Sequence, residues 1–156
     1  MPATYEPIAT QTLGSAVANV DFNSIPATYT DLILIISTTS TGDLTLQINS
    51  DTGTNYSQTF IYAYSVLGST IQSNITSHWL NYGANSGGYL GIMQFLNYSN
   101  TTTFKSHLLR TAMGGTATDV ISGLWRSTAA INALKCITAG TFAIGSTFTL
   151  YGIKAA

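Results

Sequence analysis

Turn-forming residues interrupt this chain so often that no run of about ten residues keeps a helical period with good helix formers. Gly14-Ser15, Pro26, Gly42-Asp43, Asp51 to Asn55, Gly68, Gly83 to Gly88, Asn97 to Thr101, Gly114-Gly115 and Gly145 divide it into short segments. Apolar or alternating runs lie between them: Leu32 to Ser37, Leu44 to Ile48, Phe60 to Leu67, Tyr89 to Leu96, Phe104 to Leu109, Val120 to Trp125, Ala133 to Ile137 and Phe148 to Ile153. Leu44, Leu46 and Ile48 alternate with Thr45 and Gln47, and Phe148 and Leu150 with Thr147, Thr149 and Tyr151, the pattern of strands packed on one face. Ser127 to Leu134 reads as a loop entering a strand. The expected fold is all-β, an antiparallel two-sheet sandwich of the jelly-roll kind with about eight to ten strands. With no linker and no internal repeat, residues 1–156 are expected to form one domain with short terminal arms, Met1 to Glu6 and Lys154 to Ala156.

Composition agrees with strands and narrows the partners. The chain has 25 Thr, 16 Ser and 10 Asn, whereas Glu6 is its single Glu; this is the vocabulary of pleated sheet and turns. Charged residues make up 7%, against about 25% in ordinary globular domains. Five Lys and Arg scattered from Lys105 to Lys154 give no phosphate-binding cluster, which argues against nucleic acid. A surface this poor in charge suits a protein covered by neighbours in an assembly; a secreted domain with a neutral surface is the alternative. The longest apolar run, Leu32 to Ile36, is too short to span a bilayer, and no secretory signal opens the chain, so synthesis in the cytoplasm without a membrane partner is expected.

No catalytic signature emerges. His78 (Ser-His-Trp) and His107 (Ser-His-Leu) lie outside any metal-ligand or nucleophile motif, and no glycine elbow surrounds a serine. Either histidine within reach of a Ser and an Asp in an open cleft would revive a hydrolase reading. Glu6 and the five aspartates (Asp21, Asp31, Asp43, Asp51, Asp119), which read as lying at strand edges or turns, form no glycosidase pair. The Asn49–Asn55 segment lacks the ligand spacing of a calcium loop and reads as an Asx turn around Asp51. The paired glycines have no phosphate-binding arrangement, and the lone Cys136 has no partner for a disulfide or metal. The expectation is a non-enzymatic protein without cofactor or metal.

Aromatic residues crowd the middle third, where Tyr62 and Tyr64 share one side of an expected strand. Phe60 and Trp79 fall within apolar patterns and read as core. Tyr62, Tyr64, Tyr82 and Tyr89 are the candidate interface tyrosines, with Arg110 and Arg126, and more weakly Lys135, as candidate ion-pair donors to an acidic partner.

Several segments carry a wider similarity: Tyr5 to Ser15, Ile25 to Asp31, Asn49 to Tyr56, Asn97 to Thr102, Gly123 to Ile131 and Gly145 to Ala156. Together they resemble small virion structural proteins of tailed bacteriophages, notably those of cyanobacterial and marine hosts. The resemblance implies a place in the virion, as capsid cement or decoration, or in a tail fibre or tail tip. As cement, the chain would be a homo-oligomer, a trimer, bound to the major capsid protein. As a tail component it would bind a host-surface glycan through its aromatic residues. No site residues transfer from the resemblance.

Overall fold

The structure is a computed structural model and describes residues 4–64, 66–83, 86–114 and 117–154. Among these residues the chain forms strands and turns and no helix. In chain order the strands are β1 (Tyr5–Thr12), β2 (Val17–Phe22), β3 (Asp31–Thr38), β4 (Leu44–Ile48), β5 (Tyr56–Ala63), β6 (Leu67–Ile75), β7 (His78–Asn81), β8 (Tyr89–Phe95), β9 (Lys105–Met113), β10 (Ala117–Trp125), β11 (Leu134–Phe142) and β12 (Thr147–Ile153).

The strands form two antiparallel sheets packed as a sandwich. The larger has eight strands in the order β1-β12-β3-β8-β9-β10-β5-β6; the smaller has four, β2-β11-β4-β7. This division is more unequal than that of an eight-stranded jelly roll. Alternation sets the faces: β9 and β10 are buried at every second residue, and Leu44, Leu46 and Ile48 of β4 point inward while Thr45 and Gln47 do not. The core between the sheets gathers Leu32, Leu34 and Ile36 from β3, Met93 and Phe95 from β8, Leu109, Ile121, Phe142, Phe148 and Leu150. Phe142 and Phe148 meet edge to face with centroids 5.0 Å apart.

Twelve strands replace the expected eight to ten. The run Phe60 to Leu67 is not one strand: β5 ends at Ala63 and β6, paired antiparallel to it, begins at Leu67. The expected arm Met1 to Glu6 is also corrected, because Tyr5 and Glu6 belong to β1 and pair with Ile153 and Gly152 of β12. Lys154 is tied down by its ion pair to Glu6, 2.8 Å away. Pro7, which lacks an amide donor, is accommodated at the sheet edge beside a register shift between Pro7 and Ala9. Residues 1–3 and 155–156 of the expected arms lie outside the described residues.

Candidate functional site

Strand register places the polar side chains of the sandwich in rows. On the inner face of the large sheet, His107 of β9, Gly123 of β10, Gln58 of β5 and Gln72 of β6 stand side by side. One row further, past Leu109, Ile121 and Phe60, stand Thr111, Asp119, Tyr62 and Gly68. These two rows hold most of the unusual chemistry of the molecule.

In the first row Gln58 ties the sheets together. Its Oε1 accepts the Trp79 amide (3.1 Å) and lies 3.2 Å from His78 Nδ1, while its Nε2 donates to Trp79 O and to Gln72 Oε1. His78 is fully buried, with its ring edge-on to Tyr56 (4.9 Å) and to His107 (4.1 Å between centroids). The His107 ring fits because Gly123 faces it: a Cβ there would lie 1.9 Å from Cε1. Neither Nε2 has a hydrogen-bond partner. Burial drives both imidazoles toward the neutral form; His107 is held down at about 3, and His78 is lowered by burial and then by His107. Among the described residues neither ring is hydrogen-bonded to a Ser or an Asp, and both rings are buried, so the geometry that would revive a hydrolase is not formed there at either histidine.

Asp51 behaves as the Asx turn expected of its loop. Its carboxylate accepts the Gly53 amide (2.8 Å), Asn55 Nδ2 (3.0 Å) and the Trp125 indole N–H (2.7 Å). Burial pushes this carboxyl up, and the three donors more than offset it, leaving it below the usual carboxylate range. A carboxylate so filled with donors is a structural hub rather than a vacant cation ligand. Among the described residues no group of three or more His, Cys, Asp or Glu side chains could hold a metal ion.

The second row is different. β7, the edge strand of the small sheet, ends at Asn81, and beyond its end the inner face of the large sheet opens into a cavity. Phe60, Tyr62, Tyr64, Thr70, Tyr82 and Asp119 line its ~350 Å³. Its rings are fixed from behind. Tyr62 lies across Gly68, where a Cβ would come within 2.5 Å of the ring; Tyr82 stacks on Trp79 (4.4 Å, 19°) and its hydroxyl accepts from Gln72 Nε2 (2.6 Å). Tyr62 and Tyr64 are inclined at 51° with centroids 5.5 Å apart, and Phe60 and Tyr82 at 48° and 6.3 Å. Asp119 is 5% exposed, and its Oδ1 has no hydrogen-bond partner, nor has Thr111 Oγ1 opposite it. Burial raises the Asp119 carboxyl, and it raises the Tyr64 phenol too, helped by the neighbouring Asp119.

The outer face of the same sheet carries a third feature. Pairing aligns Thr149, Ile35, Ile92, Arg110, Val120, Ile61 and Ser69 across seven strands, β12 to β6. The flanking rows run Tyr151, Ile33, Gln94, Leu108, Ser122, Thr59, Ile71 and Thr147, Ser37, Leu90, Ala112, Thr118, Ala63, Leu67. Ile71 and Leu67 are about three-quarters exposed, and Ile61, Leu90, Leu108 and Val120 about half. Arg110 is the single charge in the three rows.

Of the residues singled out from sequence, Tyr62, Tyr64 and Tyr82 come together at the cavity. Tyr89 does not join them: it points into the core, 2% exposed, with its hydroxyl 3.4 Å from Leu80 O, and so offers no contact surface. Arg126 is engaged within the chain, donating to Asn74 Oδ1 (2.9 Å) and to Thr54 O, and Lys135 faces Asp21 at 3.9 Å. Arg110 stands on the outer face without an ion pair among the described residues. Asp119 went unnoticed in the sequence because it read as a strand-edge residue; it lies inside β10, on the buried face, opposite Tyr62. No protein-family model matches the chain, and comparison with curated proteins finds no significant relative.

Proposed function

We propose that this chain is a non-enzymatic structural protein of a phage particle, a capsid cement or decoration protein that acts as a symmetric oligomer. The observation that carries the proposal is the outer face of the large sheet. Seven strands at about 4.8 Å spacing and about 25 Å of strand length give a face of roughly 700–800 Å², close to the ~800 Å² that each partner contributes to a standard protein interface. Ile61, Leu67, Ile71, Leu90, Leu108 and Val120, half to three-quarters exposed and set among neutral Ser, Thr and Gln side chains with one guanidinium, leave apolar area on this face that a protein neighbour would remove from water. On this reading the neighbour is the major capsid protein, and Arg110 meets an acidic side chain on it. Stabilisation of the shell then follows by mass action, since the bound protein favours the assembled lattice.

A second reading, a tail-fibre or tail-tip module that binds a host-surface glycan, draws support from Tyr64 and Tyr82, half exposed beside Asp119. The test that separates the two is copy number: purified particles, with the chain quantified by mass spectrometry against the major capsid protein. A simple ratio, such as one to one or one to three, is the expected result for cement. A few copies per particle would move the assignment to the tail, and absence from particles would overturn both readings.

A further inference from the structure

We infer that the cavity between β5, β6, β10 and the end of β7 is a recognition site for an alkylammonium group, with Asp119 as its counter-ion and Tyr62, Tyr64 and Tyr82 as its walls. The inference concerns the inner face of the sheet and does not depend on where in a particle the chain resides.

The first ground is the missing counter-ion. Asp119 is a buried carboxyl with an oxygen that no donor reaches, a costly arrangement unless a cation or a proton neutralises it. The chain has five cationic side chains, and none is available. Lys135 and Lys154 face Asp21 and Glu6. The Lys105 ammonium is buried against Thr103 O and Thr128 O, Arg126 is bound to Thr54 O and Asn74, and Arg110 projects from the opposite face of the sheet. A cation at Asp119 must therefore come from outside. The contrast with Asp51, whose carboxylate receives three donors from its own fold, shows what this protein does with a carboxylate used for structure.

The second ground is the shape and chemistry of the walls. Aromatic faces carry negative potential and attract cations within about 6 Å of the ring centre. Here two pairs of the lining rings, Tyr62 with Tyr64 and Phe60 with Tyr82, are inclined at about 50°, so the lining offers no single flat platform. A flat pyranose ring stacks best on a flat aromatic platform, whereas a compact, roughly spherical cation can touch several inclined faces at once. The rings are also held in place beforehand, Tyr62 by Gly68 and Tyr82 by Trp79 and Gln72, so little ordering is lost on binding. Two sources supply this chemistry: a quaternary ammonium such as a choline-type group, or the primary ammonium of a lysine side chain on a partner protein.

The test is titration of the full chain with choline, with Nα-acetyl-lysine methylamide and with 3,3-dimethylbutanol, the uncharged isostere of choline, followed by NMR of labelled tyrosine rings. Saturable shifts of Tyr62, Tyr64 and Tyr82 are expected with at least one cation, and binding of the isostere should be weaker by about tenfold or more. Tighter binding of choline would identify the quaternary source, and tighter binding of the lysine analogue a protein side chain. Asp119→Asn should abolish the preference for cation over isostere while the protein melts at the same temperature or higher, because a buried unpaired carboxylate has been removed. Tyr64→Ala, at a half-exposed ring, should weaken binding about three- to tenfold with the fold intact. Equal binding of choline and its isostere, no saturable shift with either cation, or tighter binding of neutral monosaccharides than of either cation would overturn the inference.

Discussion

Lowering the pH from 7 to 4.5 should weaken this fold through its two buried histidines, and the loss can be worked from His107. Burial holds its folded pKa at about 3, whereas an imidazole in the unfolded chain titrates near 6.5. Between those values the unfolded chain binds a proton that the folded one refuses, so this contribution is complete above about pH 6.5 and is lost as the pH falls. At pH 4.5 the loss from His107 alone is about 2.5 kcal/mol relative to pH 7, a large part of the roughly 5–15 kcal/mol that holds a domain folded. His78, also lowered by burial and by its neighbour, acts in the same direction. Asp119 opposes them, because its raised carboxyl takes up a proton more readily in the folded chain. The assay is urea unfolding followed by tryptophan fluorescence at half-unit steps from pH 7 to 4.5. From His107 alone the slope of stability against pH should come to about one proton, about 1.4 kcal/mol per pH unit, near pH 5, with His78 adding to it and Asp119 subtracting from it. His107→Leu should remove about one proton from that slope, whatever it does to stability at pH 7. Flat stability from pH 6.5 to 4.5 would refute the reasoning, since it would mean that both rings protonate within the folded protein.

Three further outcomes follow from particular contacts. Gly123→Ala places a methyl 1.9 Å from His107 Cε1, in a ring wedged against His78 and Phe95, and should cost about 1–3 kcal/mol in chemical denaturation; a neutral effect would show that the ring has room to move. Asp51→Ala removes the acceptor of Gly53, Asn55 and the buried Trp125 indole and should cost about 2–4 kcal/mol, visible as a lowered urea midpoint. Arg110→Glu, on an exposed outer-face position, should leave the melting temperature within about 2 °C yet reduce recovery of the chain on particles. Unchanged recovery would remove the outer face from the assembly.

The strands that could be read in the sequence are those whose two faces meet different surroundings. β4 and β12 alternate because one side meets the core and the other does not. β6 escaped because it has almost no buried face: Leu67, Ser69, Thr70, Ile71 and Ser73 are all exposed, so its hydropathy carries no period. β7 is four residues long, and β1 is disguised by Pro7. The break after Ala63 was hidden for the opposite reason, since Tyr64 and Val66 have strand-like side chains although both are exposed and outside the strands. At the site, the tyrosines were legible as a cluster and Asp119 was not. Its meaning depends on the pairing of β10 with β5, which no local pattern reveals. Tyr89 misled because a tyrosine that donates its hydroxyl to a core carbonyl looks in sequence like one that faces a partner.

Strand β10 links the two functional readings physically. Asp119 points into the cavity and Val120 onto the outer face, and a slip of one residue would exchange them, placing an apolar side chain in the cavity and a carboxylate among the exposed rows. Something must hold that register, and two contacts are placed to do so. Gly123 is the inner-face position of β10 that leaves room for the His107 ring on β9, and Trp125 reaches Asp51 from the last residue of the strand. A slipped strand would set Ser122 or Leu124 against that ring and would part the indole from its acceptor. The low charge of the protein sharpens the consequence: with Arg110 alone among the three outer rows, no pattern of surface ion pairs is present there to correct a misregistered strand. The buried histidines, awkward for stability in acid, thus sit where a misplaced β10 would clash most severely, and Gly123→Ala tests the register of the whole face as well as the space beside one ring.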